Sequence, residues 1–188
     1  NALLWRMNPR RLTAEQLRDA MLAVSGSLMP CDGGSPRWPA LPDEVLAANP
    51  AFYDDNPEKT KGWYPSPPDL LRVRSIYLVQ KRSVRLPFME TFDLPDNFVS
   101  CSRRVVSTVA PQAVTLLNNP FSVAMAQAFA ARLDKLPPEK RIPAGWRLAM
   151  GRDPSPEEAA AAARLLEAGG LLELCRVILN LNAFVYLD

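Results

Sequence analysis

The sequence predicts a mainly α-helical fold, with α+β as the alternative. A small strand pair and one long proline-rich irregular excursion accompany the helices. Three observations predict this. Apolar residues recur at three- and four-residue spacing near both ends of the chain, helix-capping signatures precede two of those runs, and nine of the 19 prolines fall within residues 30–69.

The first helix is the clearest. Thr13 with Gln16 three residues later forms a capping box. Ala14, Leu17, Met21, Val24 and Leu28 then make one apolar stripe, with Arg18 and Asp19 pointing elsewhere. Ser25-Gly26 marks its end.

Residues 30–69 follow as the excursion, since no regular element runs far through that proline spacing. Its aromatics Trp38, Phe52, Tyr53, Trp63 and Tyr64 argue for an ordered segment anchored by rings, because disordered linkers are poor in them. A short helix near 43–48 fits within it. Long loops of this kind are usually functional or disordered, so Trp38, Trp63 and Tyr64 are candidates for a docking loop.

Residues 72–80, rich in β-branched and aromatic side chains, read as a strand, and 104–109 as a second. Between them, Phe88, Met89, Phe92 and Leu94 anchor a proline-bracketed loop.

From Pro111 onward the pattern is helical. Gln112–Asn118 is interrupted at Asn119-Pro120, and Phe121, Met125, Ala128, Phe129 and Leu133 face the core from the next helix. Pro137-Pro138 closes that helix. Another carries Trp146, Leu148 and Met150, its start obscured by Pro143 and Gly145. Ser155-Pro156-Glu157-Glu158 combines a cap, a first-turn proline and a Glu three residues after the cap. The alanine-rich helix 156–168 stops at Gly169-Gly170, and a last helix, 171–182, places Leu171, Leu174, Cys175, Ile178, Leu179 and Asn182 on one face.

At 188 residues, 48 % apolar and 22 % charged, the chain is long enough for one good core. It is read as a single domain over 1–188. It contains no histidine, which excludes Ser-His-Asp and Cys-His catalysis and His-ligated zinc or haem from this chain. No metal site and no cofactor are expected in it. A net charge of +2 is too weak to imply nucleic acid. The 27 uncharged residues 105–131 match a bilayer in length. Pro111, Gln112, Asn118, Asn119, Pro120 and Gln127 are costly in lipid, so no transmembrane segment is expected there. Cys31, Cys101 and Cys175 form no C-x-x-C pair, and one bridge plus a free thiol stays open. Cys175, on an apolar helical face, reads as a buried hydrophobe.

Several blocks together identify a family. Residues 1–26, N-A-L-L-W-R-M-N-P-R-R-L-T-A-E-Q-L-R-D-A-M-L-A-V-S-G, resemble the family block N-R-L-L-W-R-M-N-R-R-R-L-x-A-E-x-L-R-D-A. Gly33-Gly34, R-S-I-Y-L at 74–78, F-D-L-P-D at 92–96, P-Q-A-V-T-L-L-N-N-P-F at 111–121, G-R-D-P-S-P-E-E at 151–158 and L-C-R-V-I-L-N-L-N-A-F-V-Y at 174–186 follow in order. The chain thus resembles a domain of unknown function from planctomycete cytochrome-c-associated proteins. Ala2 and Ala183 depart from the Arg and Glu usual in that family. The resemblance implies the C-terminal part of a larger domain in a multidomain exported protein, with a periplasmic or cell-surface location. It implies haem in another domain, other domains of the same parent as partners, and no catalytic residues to carry over.

Charge is distributed unevenly. Residues 31–69 carry a net of −4 and residues 70–110 a net of +4. Arginine suits planar anions, so Arg74, Arg103 and Arg104 are candidates for an anion-binding cleft that takes an anionic ligand or glycan. The architectural alternative pairs the arginines with Glu15, Asp19, Asp93 and Asp96. Glu90, Asp93 and Asp96 form the only compact acidic set beside the basic region. They carry an enzymatic alternative, glycan or anionic-polymer chemistry by paired carboxylates, against an ordinary role capping loop turns. Asp54, Asp55 and Glu58 cluster hard oxygens without a calcium-loop motif. The function predicted is an accessory or interaction module of an exported, redox-associated protein.

Overall fold

The helix expected after Thr13 is α1, Ala14–Ser25. The computed structural model describes residues 3, 5, 7–31, 33–53, 58, 62–96 and 98–187. In it the Gln16 amide donates to Thr13 Oγ1 at 3.3 Å and the Thr13 amide to Gln16 Oε1 at 3.0 Å, closing the capping box. Gly26 ends the helix in the left-handed region at φ 74°, where a Cβ would also crowd Arg132. Ala14, Leu17, Met21 and Val24 are buried as the stripe requires.

The strand pair lies elsewhere than expected. Arg10–Arg11 forms β1 and Tyr186–Leu187 forms β2. They run antiparallel, Arg10 opposite Leu187 and Arg11 opposite Tyr186, so the two ends of the sequence close on each other. Residues 72–80 instead hold a single 3-10 turn, Ser75–Tyr77, and one isolated bridge from Leu78 to Arg37. The reason is side-chain capture of their backbone. Arg18 takes the carbonyls of Leu71 and Val73, and Asp19 takes the Ser75 amide. The Ser75 amide held this way has no donor left for a ladder, and the carbonyls are oriented toward Arg18 instead of a partner strand. Residues 104–109 are not in a strand either.

The excursion contains α2, Asp43–Ala47, and 3-10 turns at Pro50–Tyr53 and Pro68–Leu71. Where a loop was expected after Leu86, Pro87–Thr91 forms a short helix, α3, with Pro87 in its first turn. Its anchors Phe88, Met89, Phe92 and Leu94 are buried.

The rest is helical: α4, Ala110–Asn118; α5, Pro120–Asp134; α6, Pro138–Met150; α7, Pro156–Ile178; and α8, Asn182–Val185. Asn119 caps α5, its Oδ1 accepting from the Phe121 amide at 2.9 Å. Pro143 sits inside α6, whose first turns run through it without a break. The expected stop at Gly169-Gly170 is a kink within α7, with Gly170 at φ 77° and ψ −177°. Past it, Leu174, Cys175 and Ile178 are buried as expected, but Asn182 is exposed because the chain turns after the helix ends.

α5 packs against both α1 and α7, and α6 packs against α7 and α5. Their facing side chains, among them Leu17, Met21, Phe129, Leu133, Leu174 and Ile178, are fully buried and join one cluster with Trp63 and Leu41 of the excursion. The run Pro156–Val185 is long and apolar enough to cross a membrane by length and composition. In this fold its Ala162, Leu174, Cys175 and Ile178 belong to the shared core.

Candidate functional site

α1 places Glu15, Arg18 and Asp19 within one turn of each other, and all three work on the segments that follow. Arg18, expected off the apolar stripe, is nonetheless buried. Its Nη1 donates to Val73 O at 2.8 Å and Ser75 Oγ at 3.3 Å, and its Nη2 to Leu71 O at 2.6 Å. Its guanidinium also stands 5.4 Å from the Phe121 ring centroid. Burial lowers its pKa to about 10, against the opposing pull of Asp19. It therefore stays charged at neutral pH. Asp19 Oδ1 accepts from the Ser75 amide and hydroxyl at 2.7 and 2.6 Å.

The same acids take two of the arginines expected at an anion cleft. Arg74 Nε lies 3.6 Å from Asp19 Oδ2, and Arg104 Nη1 donates to both Glu15 oxygens at 3.0 and 2.8 Å. Burial pulls the Glu15 carboxyl upward, but Arg104 and neighbouring hydrogen bonds outweigh it, and its pKa is lowered.

A second network ties the irregular 92–109 segment to β1. Arg11 Nη2 donates to Asp93 Oδ2 at 2.6 Å and to Phe92 O at 3.2 Å, and Nη1 donates to Ser107 O at 2.8 Å. Asp93 also accepts from the Ser107 amide at 2.8 Å and hydroxyl at 2.8 Å. Gln112 Nε2 donates to Thr91 O at 3.1 Å. Among the described residues Asp93 is the only non-glycine at positive φ, 60°, a conformation that Asp tolerates better than most. Burial raises its carboxyl, but Ser107 and Arg11 outweigh that and hold it below the usual carboxylate range. The other acids are similarly engaged. Glu90 pairs with Arg85 at 2.8 Å, and Asp96 accepts from the Phe98 amide at 3.0 Å in an Asx turn.

Beside this network runs a groove of about 1010 Å³. Residues 8–13 form one wall and 103–106 the other, with Phe92, Asp93 and Tyr186 completing it. Arg103 and Arg104 both line it, and Arg74 does not. A smaller hollow of about 450 Å³, between Arg85 and Cys101, shares Arg103 and Arg104. Arg10 and Arg103 are exposed, and neither has an ion-pair partner among the described residues. Val105 and Val106 beside them are 75 % and 60 % exposed.

Arg10 lies close to Arg11 and Arg18 in the sequence, around the start of the first helix, but nothing there sets it in one groove with Arg103. Ser107 carried no signal at all, since its role depends on a partner 14 residues away.

The expected docking aromatics turn toward one another. Trp38 meets Trp63 edge-on at 5.1 Å and Tyr64 at 5.5 Å, and Phe52 meets Trp63 at 6.1 Å. Trp63 is buried and its Nε1 donates to Pro39 O at 2.6 Å, while Trp38 and Tyr64 are half-buried. Lys81 sits 5.8 Å from the Trp38 centroid and 5.4 Å from that of Phe52. The rings hold the two ends of the excursion together. Of the hard-oxygen cluster, Asp54 and Asp55 lie outside the described residues, and Glu58 is exposed. Among the described residues no group of three His, Cys, Asp or Glu side chains is arranged to hold a metal.

Residues 1–166 match the family model PSD1, a protein of unknown function (DUF1553), so the chain belongs to that family. No curated protein and no solved structure matches it.

Proposed function

We propose that this PSD1-family chain is an interaction module rather than a catalyst. It docks another domain of its parent protein through the groove between residues 8–13 and 103–106. The observation that carries this reading is the pairing pattern of the charges. Glu15, Asp19, Glu90 and Asp93 are each engaged by an arginine, whereas Arg10 and Arg103 face solvent unpaired among the described residues, beside exposed valines. Cations left over after internal pairing, next to exposed apolar side chains, are what a docking face offers.

The family resemblance supplies the setting. The parent is a multidomain, exported, redox-associated bacterial protein of the planctomycete cytochrome-c kind, at the periplasm or cell surface. This chain forms the C-terminal part of a larger domain there, with no membrane span of its own. Haem, where the parent carries it, takes its ligands from another domain, because this chain has no histidine.

The enzymatic alternative, glycan chemistry by a carboxylate pair, needs one carboxyl held protonated at working pH. Here Asp93 is taken by Arg11 and Ser107, Glu90 pairs with Arg85 and Asp96 caps a turn, so all three carboxyls are engaged in holding the 85–109 segment.

The test is co-expression of this chain with the remaining domains of its parent as separate polypeptides. Co-purification is expected, with at least a tenfold loss of affinity on combining Arg10→Glu with Arg103→Glu. Unchanged association in that variant, or none in the unaltered chain, overturns the reading.

A further inference from the structure

Residues 104–109 have the composition of a strand and no ladder to join. Ser107 is fixed by Asp93, but the main-chain groups of Val105 and Val106 have no hydrogen-bond partner among the described residues. Their side chains are exposed as well.

Across the groove, β1 has a matching open edge. Leu12 N donates to Val185 O at 2.9 Å, a single bond flanking the Arg11–Tyr186 pair, which makes that pair the non-hydrogen-bonded one of the β1–β2 ladder. Pairs alternate in an antiparallel ladder, so the Arg11 amide and carbonyl point away from β2. Neither has a main-chain partner among the described residues. A two-stranded sheet with an open edge is the usual template for adding a strand. The rim is basic, through Arg10 and Arg103.

We infer that the groove takes an extended acidic peptide strand from another polypeptide. That strand would pair through its main chain with the Arg11 edge and with Val105–Val106. Side chains at alternate positions of a strand share a face, so carboxylates two residues apart would meet Arg10 and Arg103 together. This inference rests on the docking function proposed above and specifies its partner and mode.

The probe is a blocked octapeptide of alternating Glu and Val, added to the 188-residue chain. Its comparators are the Lys-Val octapeptide, the Glu-Val octapeptide N-methylated at alternate residues, and dextran sulfate. The Glu-Val peptide is expected to bind and to slow amide exchange at least tenfold at Arg11 and at Val105 or Val106. N-methylation is expected to weaken binding at least tenfold, since it removes main-chain donors and leaves charge unchanged, and the Lys-Val peptide is expected not to bind. Equal binding of the N-methylated peptide, or no binding of the Glu-Val peptide, overturns strand addition. Binding of dextran sulfate in its place assigns the groove to an anionic polymer and also overturns it. The docking function stands or falls separately, on whether Arg10→Glu with Arg103→Glu releases the parent's other domains.

Discussion

Arg11 and Asp93, 82 residues apart, meet at 2.6 Å with the Arg11 side chain only 3 % exposed. The contact fastens the 92–109 segment to the strand that closes the chain's two ends. Asp93→Asn keeps the shape and tolerates φ 60° but leaves a buried guanidinium without its counter-charge. The expected loss is about 2–3 kcal/mol of stability. Asp93→Ala is expected to cost more, because alanine also resists the positive φ. Urea unfolding of the two variants checks both the size and the order.

Acid should loosen the same joints. The carboxyls of Asp93 and Glu15 have lowered pKa values in the folded chain, and Glu158 is held at about 2, first by its hydrogen bond from Arg152. Carboxyls depressed by folding bind protons more readily in the unfolded chain. Their stabilisation is therefore full above the unfolded values and drains as pH falls through the folded ones. The melting midpoint is expected to fall from about pH 5 downward, and to fall less steeply in Asp93→Asn. A variant that matches the parent slope shows that Asp93 is not one of the groups responsible.

Gly170 sits at φ 77° and ψ −177°, a region closed to side chains. Gly170→Ala should cost about 1–3 kcal/mol even though nothing lies within 4 Å of the added carbon. The penalty is purely conformational. A melting curve unchanged by this substitution would mean the kink relaxes into continuous helix.

Trp63 joins the excursion to the core through its buried ring and ties the excursion to itself through its bond to Pro39. Trp63→Ala is expected to cost about 3–5 kcal/mol. Limited proteolysis should show faster cleavage within 30–69 before any other part of the chain. Uniform cleavage across the chain would place the excursion in the same cooperative unit as the helices.

The three thiols are free and differ in access. Cys101 is exposed, Cys31 is half-buried and Cys175 is buried, its pKa pushed up to about 12 by burial. A thiol reagent at pH 8 should label one group at once and a second more slowly. The third should require denaturant, because only the thiolate reacts and only when reached. Rapid labelling of Cys175 would show that the α5–α7 core opens.

The helices were legible wherever the chemistry is local. Thr13 with Gln16 and Ser155 with Glu158 cap helices that begin where the side chains require. The stripe from Ala14 to Val24 is buried as its spacing demands. Residues 72–80 misled because β propensity records how a side chain suits a pleated surface, not whether a partner strand is present. Arg18 and Asp19 hold part of that backbone instead. The site was legible only in outline. The excess of arginine in 70–110 was plain, but the identity of the unpaired cations was not.

Sequence alone determined the helical class, the starts of the two box-capped helices, the place of the excursion and the absence of histidine chemistry. These depend on residues within four positions of one another or on composition, and both survive without a partner. Tertiary structure decided which strands pair, which arginines are neutralised and which remain free. Arg104 meets Glu15 across 89 residues and Arg11 meets Asp93 across 82. Such meetings are set by how the helices pack, and no local pattern encodes them.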